Sequence, residues 1–232
     1  MFDFSGYRHP GAVITMAVRW YIRYKLSLRD ITELLIERGV NVSHESIREW
    51  VLKFGPEIAN TLDQKRRGIG FRWHVDETYM KVSGVWKYVY RAVDQDMEPI
   101  DVYASETRDK KAAKIFFDKC LAVTGKPPES VRSDSHNGYD QVKDIFPKAR
   151  HHKVKCLNNK AESSHVPIKQ RYRVMRGFKS LASMIVFLEA FESLYRFFRK
   201  HRPKNREMRD EFAARLREFD ALLQSNCALN QV

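Results

Sequence analysis

Cysteine is scarce in this chain. Its three, Cys120, Cys156 and Cys227, form no CxxC pair and keep no regular spacing, which excludes a disulfide framework and a cysteine-based zinc site and points to a reducing compartment. Long apolar runs are missing too: the most apolar stretch, Leu181 to Phe198, is interrupted by Glu189, Glu192 and Arg196. It reads as an amphipathic core helix, not a membrane span. The opening residues, MFDFSGYRHPGAV, hold no basic region followed by an apolar core, so the expected location is cytoplasmic. No GxSxG, no paired Cys and His arrangement and no phosphate-cradling glycine loop occurs, leaving no protein nucleophile of a familiar kind. Acidic residues are outnumbered, 29 against 42 Lys and Arg, for a net charge of +13. The partner that balance favours is a polyanion, nucleic acid above all.

What the chain does contain is enough apolar and aromatic material, 43% and 12%, to build a packed core. The first seventy residues read as helices. Ile14, Ala17, Val18, Tyr21 and Tyr24 recur at helical spacing and predict a helix from about Pro10 to Lys25. Ser27 stands three residues before Asp30, an N-cap arrangement, and Ile31, Leu34 and Leu35 supply the stripe of a helix closed near Arg38 by Gly39. Ser43 caps a third, with Ile47, Trp50, Val51 and Phe54 inward and Gly55-Pro56 as its expected end. Its outer face carries His44, Glu45, Arg48 and Lys53. Two helices joined by a tight turn fit a helix-turn-helix, with His44, Arg48 and Lys53 toward DNA, and fit a plain three-helix bundle as well. The expected organisation is a helical head over residues 1–62, a basic linker over 63–70 (DQKRRGIG), a sheet domain over 71–200 and an amphipathic C-terminal helix over 201–232.

The sheet domain opens with FRWHVDETYMKV, residues 71–82. Alternation puts Trp73, Val75, Glu77 and Tyr79 on one face and Arg72, His74, Asp76, Thr78 and Met80 on the other, so only one of the two acids is expected in a given site. Ser83-Gly84 turns the chain into a hairpin partner, Val85 to Val93, and a third strand follows at about Pro99 to Ala104. A helix over Lys111 to Val123, a short strand ending at Asp134, a helix over Tyr139 to Phe146, a fifth strand over Ala149 to Lys155 and a helix from Asn158 complete the order β-β-β-α-β-α-β-α. That order describes an α/β fold, an antiparallel meander extended by parallel strands through helical crossovers.

If the fourth strand lies beside the first, Asp76 and Asp134 face one crevice, and a helix across the sheet brings Glu162 to it. Three converging carboxylates repel unless a cation joins them. Their hard oxygens suit Mg²⁺ or Mn²⁺, and two such ions suit in-line displacement at a phosphodiester. Each acid also has a plain reading. Glu162 three residues after Asn159 fits a capping box, and Asp134 before Ser135, His136, Asn137 and Gly138 fits a turn. His74, His136, His151, His152 and His165 lie nearby without zinc-site spacing, which favours surface or supporting roles.

Three stretches, HVDETYMKVSGVWKYVYRAVD, RSDSHNGY, and LNNKAESSH followed by RGFKS, resemble the DDE domain of bacterial and archaeal insertion-sequence transposases, specifically insertion sequence family six. A helix-turn-helix directly ahead of HVDETY is also that family's arrangement, so the resemblance spans nearly the whole chain. It implies a ribonuclease-H-like, retroviral-integrase-type fold with a mixed five-stranded sheet and flanking helices, and Asp76, Asp134 and Glu162 as the triad holding two Mg²⁺ or Mn²⁺ ions. It also implies a basic partner seven residues after the glutamate, Lys169. Seven residues are close to two helical turns, which would put Lys169 on the face of Glu162, although a helix running through Pro167 would be kinked. The implied activity is binding of terminal inverted repeats, strand hydrolysis to expose a 3′-OH, and attack of that hydroxyl on target DNA, often replicatively, by a homodimer or higher assembly at the nucleoid.

Between Lys160 and Lys179 the basic residues Lys160, Lys169, Arg171, Arg173, Arg176 and Lys179 face a single acid, Glu162. Beside a phosphodiester site this run reads as a DNA track, with Tyr172 stacking on a base or simply packing. The stripe Met208, Phe212, Leu216, Phe219 and Leu223 is expected to pack on the catalytic domain or on a second subunit. Two rival functions share the fold: a structure-selective nuclease that stops at hydrolysis, and a DNA-binding derivative with a dead catalytic domain.

Overall fold

The computed structural model describes residues 2–66, 68–134, 136–153, 163–198 and 206–228. Two compact units divide it: Met1–Arg66 with Glu189–Val232, and Arg67–Leu188.

In the first unit, helices α1 (Gly11–Arg23), α2 (Leu28–Ile36) and α3 (His44–Asp63) form where the apolar spacing places them. Ser27 and Asp30 make a full capping box on α2: the Asp30 amide donates to Ser27 Oγ at 3.1 Å and the Ser27 amide to Asp30 Oδ2 at 2.7 Å. Gly39, at φ +75°, turns the chain out of α2, and Ser43 Oγ accepts from the Ser46 amide at 3.1 Å to start α3. The expected stop at Gly55-Pro56 does not occur. Ile47, Trp50, Val51, Phe54, Ile58 and Leu62 are all buried, so the inward stripe continues past the proline to Asp63. Burying Ile58 and Leu62, at about 1.5–3 kcal/mol each, offsets the roughly 3 kcal/mol a proline costs inside a helix.

The same unit takes in the later part of α7 (Leu181–Phe198) and α8 (Arg206–Ala228). Phe219 is fully buried and its ring meets those of Phe197 and Phe198. The Arg19 guanidinium lies 5.9 Å from the Phe219 ring, and that of Arg23 4.5 Å from Phe198. Asp63 closes the group, accepting from Ser193 Oγ at 2.8 Å and pairing with Arg196. The C-terminal stripe, expected on the sheet domain or on a second subunit, packs against the N-terminal helices of its own chain, and the compact unit around the sheet ends at Leu188.

The second unit is a five-stranded mixed sheet in the order β3-β2-β1-β4-β5, made of β1 (Arg72–Val82), β2 (Val85–Val93), β3 (Pro99–Ser105), β4 (Ser130–Ser133) and β5 (Arg150–Lys153). The meander β1-β2-β3 is antiparallel, and β4 and β5 add to β1 in parallel. This is the ribonuclease-H-like arrangement. Ser83 and Gly84, both at positive φ, form the two-residue hairpin turn. On one face Trp73, Val75, Tyr90 and Ala92 pack under α4 (Lys110–Thr124), chiefly Ala113, Phe116 and Phe117. Tyr139, Val142 and Phe146 join them from a 3₁₀ turn, Asn137–Asp140, and the short α5 (Gln141–Ile145) that together occupy the predicted fourth helix. On the opposite face His74, Thr78, Met80 and Arg91 are buried, and Arg91 donates to the Ser164 carbonyl at 2.5 Å. The last helix of this unit before α7 is α6 (Val166–Met175), with Pro167 in its first turn.

Candidate active site

Strand pairing brings the first two acids together. β1 and β4 pair from Arg72↔Ser130 to His74↔Arg132, after which β4 ends at Ser133 and Asp134 leaves the sheet beside Asp76. Ligand oxygens of Asp76, Glu77 and Asp134 all lie within 4.8 Å of one another. The expectation that only one acid of the pair belongs to the site is thus overturned. Alternation sets the direction in which each Cβ leaves the strand, but beyond His74 the β4 side of β1 has no strand partner, and the tips of both carboxylates reach the Asp134 loop.

Each carboxylate has its own surroundings. The Glu77 side chain is only 3% exposed; Tyr139 donates its hydroxyl to Oε2 and Arg108 pairs with Oε1. Arg108, just ahead of α4, extends to Asp134 Oδ2 at 3.7 Å. Burial alone would lower the pKa of Arg108; the charge of Glu77, with the hydrogen bond that Arg108 donates to it, raises it above the ordinary value. Tyr139 is driven well above the usual tyrosine range, first by burial and then by the neighbouring charge of Glu77. Asp134 Oδ1 accepts from the His136 amide at 3.0 Å, which is the turn geometry suggested by its sequence. Asp76 faces the other side of the sheet, where buried His165 places Nε2 at 3.5 Å from Oδ2. Burial moves His165 downward in pKa against the opposing pull of Asp76.

The donor set fits a hard divalent cation. Three carboxylates converge, two of them partly open to solvent, and Arg108 is the basic side chain that bridges Glu77 and Asp134. Among the described residues no other group of three or more His, Cys, Asp or Glu side chains is placed to hold an ion.

A family described as a DDE domain matches residues 70–201. The transposase for insertion sequence-like element IS431mec of Staphylococcus aureus (strain Mu50) is 32% identical over 195 residues, 82% of this chain and 86% of that protein. The transposase for insertion sequence element IS257 in transposon Tn4003, also from Staphylococcus aureus, matches with the same identity and coverage. The chain belongs to the DDE transposases of insertion sequence family six. Of solved structures, the HTLV-2 integrase catalytic core domain in complex with magnesium (trimeric form) overlaps with a TM-score of 0.43 and 13% identity over 60% of this chain and 93% of that one. As a member of this family the transposase is a nucleic-acid-cleaving enzyme, and no described helix is long and apolar enough to cross a membrane.

The other residues singled out in the transposase sequence fall in different places. Glu162 and Lys160 lie outside the described residues. Residues 163–164 are helical, His165 is a turn and α6 begins at Val166. Pro167 therefore kinks nothing, and Lys169, whose amide donates to the His165 carbonyl at 2.9 Å, sits exposed in the first turn of a new helix and not two turns along an unbroken one. Arg173, Arg176 and Lys179 are exposed. Arg171 is not: at 1% exposure, with its guanidinium 5.8 Å from the Phe187 ring, it is a core residue and leaves the proposed DNA track. The Tyr172 hydroxyl accepts from the Lys81 amide at 2.7 Å and its ring stacks on Phe178, so it packs. On α3, His44 and Arg48 both pair with Glu45, and Lys53 lies over the Tyr7 ring at 4.7 Å. Arg108 and Tyr139 escaped sequence reading because a lone arginine in a loop and a lone tyrosine carry no spacing signal.

Proposed function

We propose that the helical head binds the terminal inverted repeats of the element that carries this gene, and that the sheet unit cleaves a strand at the repeat to expose a 3′-OH and joins that hydroxyl to target DNA. The observation that supports this most is the meeting of Asp76 and Asp134 at the junction of parallel β1 and β4. In this reading Asp76, Asp134 and Glu162 hold two Mg²⁺ or Mn²⁺ ions. When bound, such ions supply Lewis acidity to the attacking and departing oxygens of the phosphodiester. The chain's own side chains do the rest. Glu77 and Tyr139 fix Arg108, Arg108 steadies Asp134 and offsets part of the local negative charge, and exposed Lys169, Arg173 and Arg176 hold DNA phosphates. His44, Arg48 and Lys53 contact the end sequence from the exposed side of α3. Joining two ends in one product calls for at least two copies, a homodimer or larger assembly on DNA.

The test is product analysis with Mg²⁺ and an end-bearing duplex. Asp76→Asn, Asp134→Asn and Glu162→Gln should each bind ends as well as the parent and lose strand joining by a factor of at least about 10². Normal joining by any of the three would remove that residue from the triad, and nicking without joining by the parent chain would make it a nuclease. For the head, Arg48→Ala should weaken binding to end DNA by roughly 1–3 kcal/mol while changing random-DNA binding less. Equal losses on both would take α3 out of the recognition role.

A further inference from the structure

On the Asp76 face of the sheet, away from the carboxylates, a second cluster of charge is set out by strand register. Arg72, Ser130 and Arg150 form one cross-strand row of β1, β4 and β5; His74, Arg132 and His152 form the next. Register partners share a face, and Arg72 is four residues before Asp76 on the same strand, so both rows lie on the side from which Asp76 projects. Arg72, Arg132, Arg150 and His152 are exposed and line a concavity of about 490 Å³, with Glu129 at its edge.

None of the three arginines makes an ion pair with a described residue, Glu129 included. Three guanidinium groups within about two strand spacings, roughly 10 Å, repel one another even though no two of them are direct register partners. Folding alone gives no reason for this grouping. A row of phosphates does, because each guanidinium can take a phosphate in a two-pronged hydrogen bond. Strand rise puts Arg132 about 7 Å from Asp134 and Arg72 about 13 Å from Asp76 along the chain, or roughly two to four nucleotide steps at 3.4 Å each.

We infer that Arg72, Arg132 and Arg150 form a phosphate-binding seat for the DNA backbone flanking the cleaved bond, separate from the basic residues of α6 and of the head. This rests on the reading of the sheet unit as a DNA strand-joining enzyme. The seat holds the duplex a few nucleotides from the carboxylates and reads no sequence.

The experiment measures binding of the full chain to a short random-sequence duplex across roughly 50–200 mM salt, with strand joining followed in parallel. Replacing all three arginines by alanine should lower the slope of log affinity against log salt by about 2–3, at roughly 0.9 per phosphate contact, and reduce joining on end DNA. Removing the same charge from the exposed side of α8, as Arg206→Ala with Arg209→Ala and Arg217→Ala, should change the slope by less than half as much. The triple lysine variant should keep most of the slope, since each ammonium still meets a phosphate. An unaltered slope in the alanine variant, an equal change in the α8 control, or a lysine variant as impaired as the alanine one would overturn the seat. Joining retained by Asp76→Asn sinks the parent reading instead, and leaves the slope result untouched.

Discussion

Glu77 shows how far single residues can be read from order alone. Asp76 and Asp134 were legible because each sits in a motif at the end or middle of a strand, where parallel pairing would bring them together. Alternation puts Glu77 on the Trp73 face, where Tyr139 meets it, and Asp76 on the other, where His165 lies; what a period of two does not give is the reach of the two carboxylate tips, which both come to the Asp134 loop past the last β1–β4 pair at His74. Tyr139, which holds Glu77, gives this arrangement a measurable consequence. Burial first, then the charge of Glu77, raises the pKa of both Tyr139 and Tyr90. A tyrosine that is harder to ionise when folded keeps its proton there after the unfolded chain begins to lose it near pH 10, so stability present below that pH is lost as pH rises beyond it. The urea midpoint should decline from about pH 10 upward. Tyr139→Phe should lower stability near neutral pH by about 1.5–3 kcal/mol, the value of a hydrogen bond to a charged group, and flatten the alkaline decline. If the alkaline limb is the same in both proteins, the Tyr139 hydroxyl does not hold the Glu77 carboxylate.

Among elements, those with strong local signals formed where the sequence put them: the capped starts of α2 and α3, the Ser83-Gly84 hairpin, and the short strand ending in Asp134. Proline misled twice, in opposite directions. Pro56 reads as a stop, yet the buried Ile58 and Leu62 carry α3 through it; Pro167 reads as a flaw in a helix, yet it stands in the first turn of one, where its missing N–H is not needed. Local propensity yields to packing in the first case and agrees with helix polarity in the second. The Pro56 ring deprives the Leu52 carbonyl of its usual helical donor, so Pro56→Ala should restore one hydrogen bond and raise stability, by up to roughly 3 kcal/mol less the entropy the ring removes from the unfolded chain. Thermal unfolding reads this directly. A lower melting temperature would mean that α3 gains from the rigid ring at this position, and the stripe would not be what carries the helix past it.

At the scale of the molecule, charge was legible and connectivity was not. An excess of 13 positive charges pointed to DNA before any motif did. An amphipathic stripe states that a face is apolar and says nothing of which surface covers it, so the sequence offers the sheet domain and a second subunit for α8 without choosing between them. Its apolar face instead joins α1, α3 and the end of α7 in one compact unit, with Phe219 buried at the centre and Arg19 over its ring. The unit that carries the proposed end-binding face is therefore completed by the last part of the chain. Phe219→Ala should cost that unit about 3–5 kcal/mol, the range for emptying a buried aromatic position. Because Asp76, Glu77 and Asp134 belong to the other unit, the loss should appear first as melting of end binding. Binding to an end-bearing duplex, followed against temperature, should fail several degrees earlier than in the parent, with calorimetry showing a matching shift in the head's transition. An end-binding curve that melts with the parent's would mean that α8 packs beside the head without supporting it.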